Sequence, residues 1–506
     1  MKYLFLLLSL PGFSLLAQPE IKWSDFASDQ GLLYEIYPIQ DSSFYTIHYK
    51  PLASVRADTA FYLKYYQDFK IAQSVEINRK VNGNAAKVES VRLMNGSIYV
   101  FLSFILGDEK ILYVQNYPQP GLIPSPCKEL AKYTIPNKLT RKGDFSISLS
   151  ENKEFVGVSA YIPGSKKENP KLSCKVFTKN FGPVSSQEQV LSYANDEIRF
   201  LAAHQSNTGD LFMLLRQAKK AEGLKIIPED EAAEKLVLLK SDGKDLLSSE
   251  IAFSTPKFLS GIRFVENKNQ LVFSALHSDK NDGTSAGIFL FRYDFANKKI
   301  ASEQFIDYHP EMFRSAWIGI LNVRDLIPHE YKIRESLFMA DGSLLLTLEQ
   351  SYRKVESMNT NGNNSIFHVC NDIILFKIDP SGTILWKTKV EKHQKTHNDH
   401  GVYSSFVTAV KDKQLLIYFN DNVGNYDTEG NFFQCQSIAD PMGESNGFVQ
   451  AEINLANGEQ KRSICYKKSA RGAVTIPLKS ESVTSKNQII LYLVHDNKEK
   501  YGLFQY

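Results

Sequence analysis

Helical periodicity, charge of one sign, cysteine and long apolar runs are all scarce in this 506-residue chain. Apolar residues almost nowhere recur at helical spacing, which excludes a helical bundle and an alternating strand–helix sheet. Only PEDEAAEKL at 228–236 and PEMFRSAWIGILNVRDLI at 310–327 read as short helical turns. Lys and Arg number 59 against 56 Asp and Glu, a net +3 that is evenly spread. That balance argues against nucleic acid or an anionic membrane as partner. The five cysteines, Cys127, Cys174, Cys370, Cys435 and Cys465, match no zinc spacing, and their odd number leaves at least one thiol free. A core of this size needs no disulfide framework. Cys370 and Cys435 are the pair placed to bridge if any does. Beyond the N-terminus no charge-free run approaches the ~20 residues of a spanning helix, so no membrane span is expected.

Apolar residues make up 43% and aromatics 12%, with 25 Tyr and 32 Phe, which is material for a large core. Residues 1–17 read MKYLFLLLSLPGFSLLA. A basic residue, a short apolar stretch and a small residue before Gln18-Pro19-Glu20 form the pattern of a secretory signal peptide. The mature chain, 18–506, is expected to start near Gln18 and to be exported. No cysteine follows the cleavage point, so no lipid anchor is expected there. No sorting domain follows YGLFQY, which favours a periplasmic or envelope-bound location over sorting-dependent release.

Short runs rich in Ile, Val, Phe and Tyr recur, among them SIYVFLSFIL at 97–106, QLVFSAL at 270–276, DIILFKID at 372–379 and QLLIYFND at 414–421. Turn residues bound them. One set of tight turns follows apparent first strands, as at Asn95-Gly96, Asn207-Thr208-Gly209 and Asp341-Gly342. A second set precedes apparent last strands, as at Ser241-Asp242-Gly243, Pro380-Ser381-Gly382 and Ala456-Asn457-Gly458. This is a four-stranded meander, repeated. First strands near 31, 87, 143, 197, 258, 331, 402 and 473 recur roughly every 55–75 residues, which gives about eight units. The expected fold is all-β, a single β-propeller of about eight blades. PEIKWSDF at 19–26 would supply the last strand of the C-terminal blade and close the ring. Seven blades, or two packed β domains, are the alternatives.

A meander sends its first and third turns to one side and its other connections to the opposite side. The tight turns belong to the first set. The long segments 217–235, 277–286, 306–330, 350–371, 391–402 and 420–447 belong to the second. The expected working face is therefore the long-connection face of units five to seven.

The stretch 337–427 carries LFMADGSLLLTLEQSY, NDIILFKIDPSGTILWKTKVEKHQ, YSSF and LLIYFNDNVGN. These pieces resemble a group of uncharacterised exported β-propeller-like proteins of Bacteroidota. The resemblance covers roughly a fifth of the chain, with a weaker echo at SALHSDKNDGTSAGIFLFRYD. It implies a propeller and export, and no activity. The positions that match are Glu349, Tyr352, Trp386, Lys392, Gln394, Asn420, Asp421 and Asn425.

Glu349, Lys392, Gln394, Asn420 and Asp421 end strands or open crossings on one face. With Tyr352 and Asn425 they form a candidate site for a polar ligand. The same groups equally suit a buried ion-pair and hydrogen-bond lattice between units six and seven. His393, His397 and His400 space as H-x3-H-x2-H, a metal candidate only if a helix brings them together, and neighbouring Lys392 and Lys395 oppose a cation. Gly283-Thr284-Ser285-Ala286-Gly287 fits a nucleophile motif in the wrong context, since a strand rather than a helix follows. Asp279, Asn281 and Asp282 recur as in a calcium loop that lacks its closing Glu. Segment 217–235 reads as a solvated flap or a partner-binding tongue. The expected function is a non-catalytic binding or scaffold protein of a bacterial envelope, without a cofactor, whose partner is a protein or glycan. A polysaccharide-active or metal-assisted hydrolase on the same face is the alternative.

Overall fold

A computed structural model describes residues 21–506 except 29–30, 41, 52–58, 137–142, 165–167, 196, 219–231, 282–283, 308–330, 358–363, 400, 468–473, 484–485 and 497. The expected leader 1–17, the helical turn expected at 310–327, most of the expected flap at 217–235 and His400 lie outside the described residues.

The described chain is all-β, and its helical turns are two 3₁₀ turns, Val423–Asn425 and Pro477–Lys479. No helix among the described residues is long and apolar enough to cross a membrane. The strands form antiparallel meanders in chain order. Sheet 1 contains Leu32–Gln40, Ser43–Pro51, Thr59–Gln67 and Lys70–Glu76. Sheet 2 contains Lys87–Met94, Ser97–Leu106, Glu109–Tyr117 and Lys128–Thr134. Sheet 3 contains Asp144–Leu149, Phe155–Ile162, Lys171–Thr178 and Pro183–Val190. Sheet 4 starts with Ile198–Gln205, Leu211–Gln217 and Ala233–Ser241. Its last strand, Leu246–Glu266, runs on for 21 residues and becomes the first strand of sheet 5. Sheet 5 continues with Gln270–Ser278, Gly287–Asp294 and Lys299–Asp307. Sheet 6 contains Tyr331–Phe338, Leu344–Ser357, Asn364–Ile378 and Ile384–Val390. Sheet 7 contains Phe406–Lys411, Gln414–Asn422, Asn446–Asn454 and Gln460–Lys467. Sheet 8 contains Val474–Thr475 and Glu481–Val483, then Gln488–His495 and Lys498–Gln505. The N-terminal strand Ile21–Trp23 pairs with the last of these, Ile21 opposite Phe504.

Two expected loops contain strands, and the described part of one expected helical turn is mostly strand. The expected loop at 350–371 is a paired arm, because the second and third strands of sheet 6 stay in register from Ser351 opposite Cys370 outward. Polar residues alternate there, so its two solvated faces read as a connection. Gln394–His397 adds to the arm beside Phe367–Cys370. The helical turn expected at 228–236 ends in the third strand of sheet 4, which starts at Ala233.

Middle strands such as Leu211–Gln217 and Gly287–Asp294 are buried along nearly their whole length, while fourth strands such as Pro183–Val190 are largely exposed. Successive side chains of a strand point to opposite faces, so a continuous apolar run serves two interfaces at once. Leu211, Met213 and Leu215 pack toward Leu172 and Val176 of sheet 3, whereas Phe212 and Leu214 pack toward Phe273 and Phe289 of sheet 5. Leu344, Leu346 and Leu348 face sheet 5, and Leu345 faces Leu415 and Ile417 of sheet 7. Tyr45 and Ile47 of sheet 1 meet Ile98 and Val100, Phe101 of sheet 2 meets Val156, and Tyr418 of sheet 7 meets Leu491. The last sheet packs on the first through Ile490, Tyr492 and Tyr501 against Leu33, Phe44 and Tyr66. Each fully buried large side chain contributes ~1.5–3 kcal/mol before entropy is charged against it. Beneath that last contact, Glu499 of sheet 8 accepts from Lys64 at 3.3 Å and contacts the His48 ring at 3.0 Å, both of sheet 1.

Candidate functional site

Glu349 ends the regular part of its strand at a register shift toward Ser351, fully buried at the junction of sheets 6 and 7. Arg334 donates to its Oε2 from Nε at 2.7 Å, Lys392 Nζ to its Oε1 at 2.7 Å, and Ser405 Oγ to Oε2 at 2.7 Å. Burial works to raise the carboxyl pKa, but Lys392 and Arg334 together outweigh it and hold the group below the ordinary carboxylate value. Lys392 also donates to the Cys370 carbonyl at 3.2 Å and to Gln394 Oε1 at 2.9 Å. Gln394 carries the lattice on, donating to the Asn420 carbonyl at 2.7 Å. Asn420 Nδ2 then reaches the Thr475 carbonyl of sheet 8 at 2.7 Å. Four of the expected site residues thus form one chain of bonds across three sheets.

Asp421 and Asn425 build a second unit. Asp421 accepts from Asn425 Nδ2 at 3.0 Å, from the Tyr426 hydroxyl at 2.8 Å, and from Arg462. Asn425 Oδ1 receives the backbone N–H groups of Gln436 and Ser437 at 2.9 and 2.7 Å. This pins the connection between the second and third strands of sheet 7 to its own sheet. Burial works against the Arg462 cation, but Asp421 and Tyr426 prevail and raise its pKa. Tyr352 lies half-buried on the arm, opposite Val369, and none of these bonds involves it. All five cysteines are thiols, and Cys370 lies in a strand of the arm, its Sγ 3.6 Å from Ser351 Oγ.

His393 and His397 flank and end the strand Gln394–His397. At ~3.3 Å per residue, extended chain sets them ~13 Å apart, too far to share an ion. Burial, with Lys392 and Lys395 nearby, pushes the His393 pKa down to about 4. Among the described residues no group of three or more His, Cys, Asp or Glu could hold a metal.

One junction away, on the same face, a cleft of about 490 Å³ opens between sheets 5 and 6. The strand shared by sheets 4 and 5 forms one wall. A bulge between Ser260 and Arg263 bends it there, with Gly261 at φ +64°. Tyr331–Arg334 forms the other wall, and Arg334 is itself the bulged residue of its strand. The floor holds His277 and Ser285. A side chain at Gly287 would run into the Ile306 carbonyl at 2.2 Å and the His277 ring at 2.7 Å, so only glycine leaves room for both there. The Ser285 hydroxyl donates to the Gly287 carbonyl at 3.3 Å, not to His277. The sequence singles out Ser285 and Gly287 only within a mismatched nucleophile motif, and Ser405 only within the YSSF piece; it does not single out His277, Arg334 or Arg462. Basic residues at strand starts were the only available signal.

No family model and no curated protein matches the chain. Solved structures do. The Dos1 propeller aligns over 96% of this chain and 95% of its own, at 10% identity and TM-score 0.48. The WD40 domain of SCAP from fission yeast aligns over 97% and 95%, at 9% identity and TM-score 0.38. An α-L-arabinanase from Penicillium chrysogenum aligns over 68% of this chain and 98% of its own, at 12% identity and TM-score 0.32. None of the three reaches a TM-score of 0.5, so nothing about this chain is taken from them.

Proposed function

We propose that the sheets form one ring of eight blades. The N-terminal strand completes the last blade, and the ring serves as an exported, non-catalytic binding propeller of a bacterial envelope. Its ligand or partner engages the long-connection face of sheets 5 to 7. The ring is supported by the apolar contact of the last sheet with the first and by the Glu499 pairs under it. Export rests on the leader pattern at 1–17.

The observation that carries the binding reading is the cleft itself, an open, mixed polar and aromatic concavity on the face that bears the long connections. Glu349 and Asp421, the carboxylates singled out for this face, have both oxygens engaged by protein donors, which favours a scaffold over a hydrolase. The test is capture from envelope extracts by the mature chain. Substitutions in the cleft wall should abolish capture, and substitutions at the short turns, such as Asn95→Ser, should not. The opposite pattern, or turnover of a glycan panel, would overturn the reading.

A further inference from the structure

The cleft carries an unusual charge balance. Arg216, Arg263, Lys280, Lys332 and Arg334 line it, and no carboxylate does among the described residues. Basic and acidic residues are nearly equal in the whole chain, so this segregation is local. The nearby acid Asp279 is engaged by Lys257 outside the lining. Arg334 shares Glu349 with Lys392, two cations to one carboxylate, and so leaves the floor of that wall net positive. Arg263 and Lys332 are exposed at the rim.

Beneath the cations lies His277, 3% exposed, with neither ring nitrogen hydrogen-bonded. Its Nε2 stands 3.5 Å from Asp307 Oδ1, beyond a good bond. A buried imidazole without a partner is costly unless something else supplies one. The rest of the lining includes Ser260 and Ser278 and the flat rings of Phe258 and Tyr331.

Resting on the binding reading above, we propose that this cleft takes a short anionic oligosaccharide. Arg263 and Lys332 meet its acid groups, with Arg334 behind them held on Glu349, His277 meets a sugar hydroxyl, and a ring face lies on Phe258. Guanidinium forks match carboxylate and sulfate alike, so uronate and sulfate-ester sugars are both admitted. A volume of about 490 Å³ fits a few sugar units, not a folded partner.

Calorimetry on the full mature chain tests this with trigalacturonate, a κ-carrageenan tetrasaccharide, which carries sulfate esters and no uronate, maltotriose and sodium sulfate. At least one acidic sugar should bind, weaken as salt rises, and lose about tenfold or more in affinity in the rim variant Arg263→Ser/Lys332→Ser. Which of the two binds tells uronate from sulfate. Maltotriose and free sulfate should not bind measurably. His277→Phe should weaken the acidic sugar in a chain whose melting temperature is checked separately. Equal binding of maltotriose, or acidic binding that ignores the rim variant, overturns the proposal. If no acidic sugar binds while the rim variant still loses capture from envelope extracts, the glycan class is wrong and the binding reading stands. If capture is unaffected too, both fall.

Discussion

Two neighbouring junctions on one face differ in how their charges are answered. Between sheets 6 and 7, Glu349 is held by Arg334, Lys392 and Ser405, and the bonds continue through Gln394 and Asn420 into sheet 8. Between sheets 5 and 6, cations stand around open space over an imidazole with no hydrogen bond. Polar residues on a loop-rich face therefore divide into those that hold the sheets together and those left to meet something else. Residue type does not separate the two sets. Saturation by neighbours does.

Breaking the first junction should have the largest effect. Glu349→Ala leaves Lys392 buried without its carboxylate and should cost about 3–5 kcal/mol in chemical unfolding. Adding Lys392→Met should recover part of that loss. If Glu349→Ala leaves stability unchanged, the lattice is not structural. Gly287→Ala acts on the second junction by forcing His277 and the Ile306 carbonyl apart, and should cost about 1–3 kcal/mol. An unaltered melting temperature would mean that the close approach is relieved at no expense.

A third junction sharpens the contrast through pH. The Glu481 side chain of sheet 8 keeps a solvent-exposed surface, but crowding by the protein around its carboxyl, helped by Glu35 and Glu335, raises it from 4.5 to about 7. Between those values the folded chain holds a proton that the unfolded chain has lost, so this group lowers stability as pH rises through the window. Glu481→Gln should thus raise the melting temperature at pH 8 and leave it unchanged near pH 4. A gain of equal size at both pH values would contradict that charge. The smallest stability effect is expected from Arg263→Ser/Lys332→Ser. Both residues are exposed, and the change should stay within about 0.5 kcal/mol per site. A larger loss would move these cations into the structural set.

First strands expected near 87, 258 and 331 lie at Lys87–Met94, within Leu246–Glu266 and at Tyr331–Phe338. The meanders they open were legible because middle strands such as LFMLLR and GIFLFRYD bury both faces and so stand out by composition alone. The arm of sheet 6 was not, since its two faces carry polar side chains. Nor was the partner of Glu349, because Arg334 reaches it from a bulge that shifts the register by one residue. The Glu349–Lys392 contact spans 43 positions; the sequence placed both residues on one face and offered a lattice or a ligand site, and only the packing of the sheet edges decides between them.

Sheets 4 and 5 share one strand, Leu246–Glu266, with no turn between them. Such a strand behaves as a strut and not a tether. Any twist of sheet 4 is delivered stiffly to Ser260–Arg263 and hence to one lip of the cleft. That lip is held to a fixed geometry by the backbone itself, before anything arrives to be gripped.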